Sequence, residues 1–253
     1  MVGRPSGQAG RQAVRLAADP SVVTLDGLHC VKHAARFGAE LELLVTTDRE
    51  AVLRLAAALA PELADRVSVA VPVDPGLPGR LPGVRPGSEL VGFARRPAAA
   101  APPAGPTVLL DNPRNPGNVG AVVRVAAGFG AAVRSTGSID PWHPAVVRAA
   151  AGLHFATSVE RSGAVAGPLI AFDPTGEDLR GVELPDRAVL AFGAERHGLS
   201  AAVRDRADRL VAIPMRELVS SYNLATSVAV ALYHWSLPGT GRTRIAKAGQ
   251  AGP

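Results

Sequence analysis

The sequence predicts an α/β fold: a parallel sheet covered by helices, preceded by a smaller α/β unit. Three observations carry that expectation. Short apolar runs of strand length alternate with stretches of helical periodicity along most of the chain. One proline–alanine segment, residues 96–106, interrupts the alternation and reads as a semi-rigid linker. Beyond it the strand-length runs are uniformly apolar, the pattern of strands buried on both faces.

The expected elements follow in chain order. Residues 1–12 are polar and glycine-rich and read as a flexible lead-in to a domain spanning 1–95. Ser21–Leu25 reads as a strand, Leu28–Phe37 as a helix and Leu41–Thr46 as a strand. Glu50–Ala60 places Val52, Leu55, Ala56 and Leu59 at helical spacing, Val67–Val71 is a short strand, and Arg80–Ala94 is a loop leading into a strand. In the second domain, 107–238, Thr107–Leu110 is a buried strand, and Asn118–Phe129 is a helix with Val122, Val125, Ala126 and Phe129 on one face. Ala145–Ala151 and Ala201–Ala207 read as helices, and Pro168–Phe172, Ala188–Phe192 and Leu210–Ile213 as strands. Asn223–Trp235 closes the domain as a helix with Leu224, Val228, Ala231 and Trp235 on its apolar face, and residues 239–253 read as a basic, disordered tail.

Composition narrows the function. The chain has 253 residues, 27 of them lysine or arginine and 22 aspartate or glutamate, a net charge of +5. Only Lys32 and Lys247 are lysines, so the positive charge is almost all arginine, the side chain suited to bidentate phosphate contacts. By segment the charge is +2 over residues 1–106, zero over 107–238 and +3 over 239–253. Aromatic residues are 4%, too few for a surface of stacked base platforms. Cys30 is the only cysteine, which excludes an internal disulfide and a cysteine-based zinc cluster and suits a reducing cytoplasm. The six histidines are scattered, so no metal site is expected. No secretory signal or bilayer-spanning run is seen, and no membrane partner is expected. The dinucleotide fingerprint, the P-loop and the nucleophile elbow are missing as well.

Three loops follow expected strands at their C-terminal ends, where open α/β sheets bind ligands. The first, Asp111–Arg124, ends a strand and opens a helix that Asn118 can cap; Gly120 and Arg124 share one helix face, leaving room for a ligand beside the guanidinium. The second, Phe192–Ser200, offers Gly193 for close backbone approach and Glu195 to brace a neighbouring loop, with His197 on the surface. The third, Ile213–Ser227, sets Ser221 and Asn223 at a helix entrance where backbone N–H groups are free. Each loop alone also reads as an ordinary capped turn.

Together their order and spacing resemble the SpoU branch of the SPOUT superfamily, the TrmH-like RNA ribose 2′-O-methyltransferases. The first family motif matches Asn118-Val-Gly120-Ala-Val-Val-Arg124, the second Gly193-Ala-Glu195-Arg-His-Gly198-Leu199, and the third Ile213-Pro214-Met215 with Ser221-Tyr222-Asn223. Residues 137–152, with Asp140-Pro141, Arg148 and Ala150-Ala151-Gly152, resemble the family's connecting region. Tyr222 stands where leucine or methionine is usual, and Ala150 where serine is common. The resemblance covers residues 107–236; residues 20–95 resemble, more weakly, the substrate-binding domain that often precedes it.

The resemblance implies a SPOUT parallel sheet whose C-terminal segment forms a trefoil knot, S-adenosylmethionine as cofactor, an RNA substrate and a homodimer. It assigns Phe172, Gly193, Ile213, Ser221 and Tyr222 to the cofactor, and Arg124, Asn118, Ser221, Glu195 and Asn223 to the reaction. Ribosomal RNA is favoured over transfer RNA because a domain precedes the methyltransferase unit. The alternative is a noncatalytic RNA-binding relative. Two accounts of Arg124 stand: a proton acceptor helped by a phosphate and Ser221, or a charged group that fixes phosphate and ribose, the latter favoured by arginine's high pKa. Which subunit of the dimer would supply Arg124 and which Ser221 is left open by sequence.

Overall fold

The computed structural model describes residues 7–98 and 105–237; the expected tail, the first six residues and most of the expected linker lie outside the described residues. Two units emerge. One takes in 7–98 with 115–124 and 140–156, the other 105–114, 125–139 and 157–237.

The N-terminal unit contains α1 (Gln8–Ala17), β1 (Val22–Asp26), α2 (Leu28–Arg36), β2 (Leu41–Thr46), α3 (Arg49–Leu59), α4 (Ala64–Ser68), β3 (Val71–Pro72) and β4 (Leu90–Arg95). Its sheet runs β1-β4-β2-β3, with β4 antiparallel to both β1 and β2. Two expectations are corrected here. Residues 8–12 are helical rather than a lead-in, because Ala13 and Leu16 bury into a core with Val45, Val91 and Phe93 and carry the preceding turn with them. Val67–Val71 is not a strand: Leu63 and Val67, four residues apart, are buried on one helical face, while Val69 is 72% exposed.

The other unit is a six-stranded, wholly parallel sheet, as expected. It is built from β5 (Thr107–Asp111), β6 (Ala132–Ser135), β7 (Val159–Arg161), β8 (Leu169–Asp178), β9 (Val189–Gly193) and β10 (Arg209–Ala212). Strand order is β10-β8-β9-β5-β6-β7, with α7 (Ala201–Arg206) and α8 (Leu224–Ser236) in the same unit. Strands β6 and β7 were not expected. In β6 the apolar run is broken by Arg134, which is buried yet bonds Ser158 and pairs with Glu160 at 3.3 Å. Strand β8 also continues past Phe172, and its register with β10 jumps from Ala171 to Glu177, so Phe172–Gly176 bulges out of the ladder.

Helix α5 (Pro116–Phe129) starts earlier than expected, and its capping residue is Asn115 rather than Asn118. Asn115 Oδ1 accepts from Gly117 N at 2.8 Å and Asn118 N at 3.2 Å, with Pro116 as the first helical residue. Within the N-terminal unit, Gly120 meets α6 (Pro144–Ala149). A Cβ there would lie 2.5 Å from Ala149 Cβ and 2.9 Å from Ala150 N. The space beside this glycine is therefore filled by a helix, and the expected room for a ligand is not there.

His154 tests the burial of the segment after α6. Its Nε2 donates to the Pro141 carbonyl at 2.7 Å, its ring packs 4.9 Å from Trp142, and burial pushes its pKa down to about 4. An unfolded histidine titrates near 6.5. Between those values the unfolded chain binds a proton that the folded chain refuses, so stability falls as pH drops from about 6.5 to about 4, by up to about 3 kcal/mol. Histidine-selective NMR titration checks this: the His154 ring should stay neutral at pH 5.5, and a midpoint near 6.5 would refute its burial.

Candidate functional site

The bulge of β8 and the C-terminal ends of β9 and β10, with the loop entering α8, enclose a cavity of about 600 Å³. All five residues expected to hold the cofactor line it: Phe172, Gly193, Ile213, Ser221 and Tyr222. Glu195 and Asn223 line it as well. Asn118 and Arg124 do not; they belong to the other unit.

Each wall follows from local sequence. Phe172 and Phe192 are register partners on neighbouring strands, and their rings stack at 4.5 Å with planes 10° apart. That pair makes a flat apolar surface at the sheet end. Gly193 follows, and the chain returns on itself: Ala194 and Gly198 exchange backbone hydrogen bonds at 3.0 and 2.9 Å. A side chain at Gly193 would overlap the carbonyl of Gly198 and the nitrogen of Leu199. The close approach foreseen for a ligand is thus made by the chain's own backbone. It turns the loop so that Glu195 Oε2 accepts from Arg114 N at 3.4 Å, tying the second loop to the first. Buried Asp111, at the end of β5, holds the far end of the same loop by accepting from Ser200 N at 2.7 Å.

The third wall is the segment from Ile213 to Asn223. Asn223 caps α8, its side chain accepting from Ala225 N at 2.9 Å. Ser221 and Tyr222 are exposed, and the Tyr222 hydroxyl donates to the Pro214 carbonyl at 3.5 Å. Met215 of the third motif and the loop residues Phe192, Ser220 and Ser227 also line the cavity without having been assigned to the cofactor, as does Asp173, which was not named from sequence. Asp173 sits in the β8 bulge. Burial would raise its pKa, but hydrogen bonds from the Thr175 hydroxyl and amide and from Arg204 outweigh burial and hold it below the usual carboxylate range. The lining charges are therefore Asp173 and Glu195 against Arg196.

In the N-terminal unit, Arg124 is exposed, on a second cavity with Asp26, Lys32 and Arg148. Asp26 organises that region. Its buried carboxylate accepts from Arg85 N at 3.2 Å, from Arg148 at 2.9 Å and from the Ser88 hydroxyl. Burial raises its pKa, yet these donors lower it overall. Nearby Cys30 is buried, with its thiol pKa pushed up to about 12 by desolvation and by Asp26, so it is no nucleophile. Among the described residues, no three or more His, Cys, Asp or Glu are grouped to hold a metal ion, and no helix is long and apolar enough to cross a membrane.

Comparison with known proteins follows the same geometry. Residues 105–233 match the family described as the SpoU rRNA methylase family. The chain is 34% identical over 145 residues to ribosomal RNA small subunit methyltransferase G 2 of Syntrophobacter fumaroxidans, a match covering 54% of this chain and 28% of that protein. It is 31% identical over 144 residues to a 23S rRNA (uridine(2479)-2′-O)-methyltransferase of Streptomyces viridochromogenes, covering 50% of each. The chain thus spans about half the length, or less, of these curated relatives. In fold it resembles the SpoU methyltransferase AviRb of Streptomyces viridochromogenes, solved with AdoMet, at a TM-score of 0.72 and 24% identity, covering 90% of this chain and 97% of that one.

Proposed function

Since the chain belongs to the SpoU rRNA methylase family, we propose that it methylates a ribose 2′-hydroxyl of RNA, ribosomal RNA before transfer RNA, using S-adenosylmethionine. The observation that carries this is the cavity at the β8 bulge and the ends of β9 and β10, where the second and third sequence motifs converge. Its chemistry suits the cofactor. The stacked Phe172 and Phe192 offer an apolar surface to an adenine, and the loop backbones offer hydrogen bonds. Glu195, and Asp173 even though Arg204 pairs with it, bring carboxylates to the lining that suit a cationic sulfonium. Phe172, Gly193, Ile213, Ser221 and Tyr222 would hold it, within the knotted C-terminal segment that the family implies. When bound, it supplies the methyl group.

The chain's own residues do the rest. A ribose hydroxyl is a poor nucleophile until its proton leaves. A guanidinium is a fork of donors suited to phosphate oxygens, so the role proposed for Arg124 is to fix a phosphate and stabilise negative charge developing on the 2′-oxygen. Glu195 braces the two loops, Asn223 holds the start of α8 and presents Ser221, and Asn118 supports the turn that carries Arg124. We read the protein as a cytoplasmic homodimer. Val230 and Tyr233 on α8, with Leu237 after it, are 38%, 61% and 42% exposed, an apolar surface that a second copy would cover.

Calorimetry with S-adenosylmethionine and transfer of a labelled methyl group to deproteinised ribosomal RNA test the proposal. Binding plus alkali-resistant label in RNA is the expected result. A chain that binds RNA but not the cofactor would instead be the noncatalytic relative.

A further inference from the structure

The second cavity, of about 480 Å³, lies wholly within the N-terminal unit, and its lining is chemically divided. One side is apolar: Val52, Leu55 and Leu59 come from one face of α3, and the two leucines are 41% and 54% exposed. The other side is cationic, with Lys32, Arg85, Arg124 and Arg148 against Asp26 and Glu89. Asp26 engages Arg85 at 3.3 Å and Arg148 at 2.9 Å. Among the described residues, no hydrogen bond or ion pair engages Lys32 or Arg124. Their fields overlap nonetheless. His29, also in the lining, has its pKa lowered by burial and then by Lys32, His33 and Arg124.

Unpaired cations in a concave site attract phosphate, and exposed leucines beside them offer a face to a base. The volume falls in the range of about 300–1,000 Å³ typical of small-ligand sites, too small for a duplex. We propose that this cavity takes one unpaired nucleotide of the RNA substrate, its phosphate held by Lys32 and Arg124 and its base laid against Leu55 and Leu59. The inference rests on the methyltransferase reading above and extends it. Lys32 and the α3 leucines become determinants of substrate binding, and Arg124 a phosphate clamp shared between binding and reaction.

Filter binding of deproteinised ribosomal RNA to the full chain, over a salt series, tests it. Lys32→Glu is expected to weaken binding about tenfold or more and to reduce the slope of log affinity against log salt by about one. Leu55→Ser should weaken binding about three- to tenfold with the slope unchanged. Arg54→Glu reverses an equal charge on α3, the helix of Leu55, outside the cavity, and should cost less than about threefold. Circular dichroism melting should match wild type in all three, which shows that the N-terminal unit folds, and S-adenosylmethionine affinity should be unchanged because its proposed cavity lies in the other unit; if Lys32→Glu loses its melting transition, Lys32→Gln takes its place. Equal losses for the two charge reversals, no loss at Lys32, or a wild-type chain that binds no ribosomal RNA would overturn the proposal. A wild-type chain that binds ribosomal RNA but not the cofactor defeats the methyltransferase reading instead, and the same variants still judge the cavity.

Discussion

Replacing Arg124 with alanine is expected to cut methyl transfer to ribosomal RNA by about two to three orders of magnitude while leaving S-adenosylmethionine affinity unchanged. The separation of the two effects follows from placement. Arg124 is exposed on α5 and lines the N-terminal cavity, whereas the residues proposed to hold the cofactor line the other. Truncation of this exposed side chain should leave the folded chain intact, with its unfolding free energy within about 0.5 kcal/mol of wild type. Arg124→Lys restores charge without the planar fork and should recover only part of the rate. Single-turnover transfer of labelled methyl and calorimetry of the same preparations supply the two readouts. Transfer within threefold of wild type in the alanine variant would remove Arg124 from the reaction.

Gly193→Ala should have the opposite signature: cofactor affinity lost by about tenfold or more, together with a stability loss of about 1–3 kcal/mol. The added methyl has nowhere to go, because Gly198 and Leu199 backbone atoms occupy its place. Backbone cannot swing aside as a side chain does, so the Ala194–Gly198 pair must open. Glu195 then loses its reach to Arg114 N, and the wall beside Phe192 shifts. Urea unfolding and calorimetry measure the two effects. An alanine variant with wild-type affinity and stability would show that the loop does not depend on this close approach.

The contrast between these residues shows what can be read from sequence. Where one local signal decided the outcome, it was legible. Leu41–Thr46 forms a strand with the expected bounds, and Asn223 caps α8 as its residue type suggested. Where tertiary contacts decided, it was not. Arg134 in β6 and the three-residue β7 look unlike strands until the parallel ladder satisfies them. Val69 and Val71 look like a strand, but the sheet leaves Val69 in water and gives β3 two residues. The motif glycines were the subtler case. In sequence, Gly120 and Gly193 read as leaving space for a ligand, yet the neighbour that fills that space is protein in both cases. Spacing reveals that a close approach exists, and only packing reveals what approaches. Lys32 carried no motif, and the spacing of Leu55 and Leu59 marked a helical face without showing that it lines a cavity.

The strand order bears on how the chain folds. Strand β5 pairs with β6, which follows it soon in sequence, but its other neighbour, β9, lies far along the chain. Strand β9 enters between β5 and β8, so both its ladders form only once the intervening segments are made. Such long-range parallel pairing is slow, since loop closure costs entropy before any contact compensates it. The loop from Gly193 to Ser200 hangs from the end of that strand, and Phe192 finds Phe172 only in the finished ladder. The cofactor cavity is therefore among the last parts of the molecule to come into being. During synthesis, a ribosome-bound chain could complete the β1–β4 sheet, with Lys32 and Arg85 beside it, well before β9 could take its place between β5 and β8.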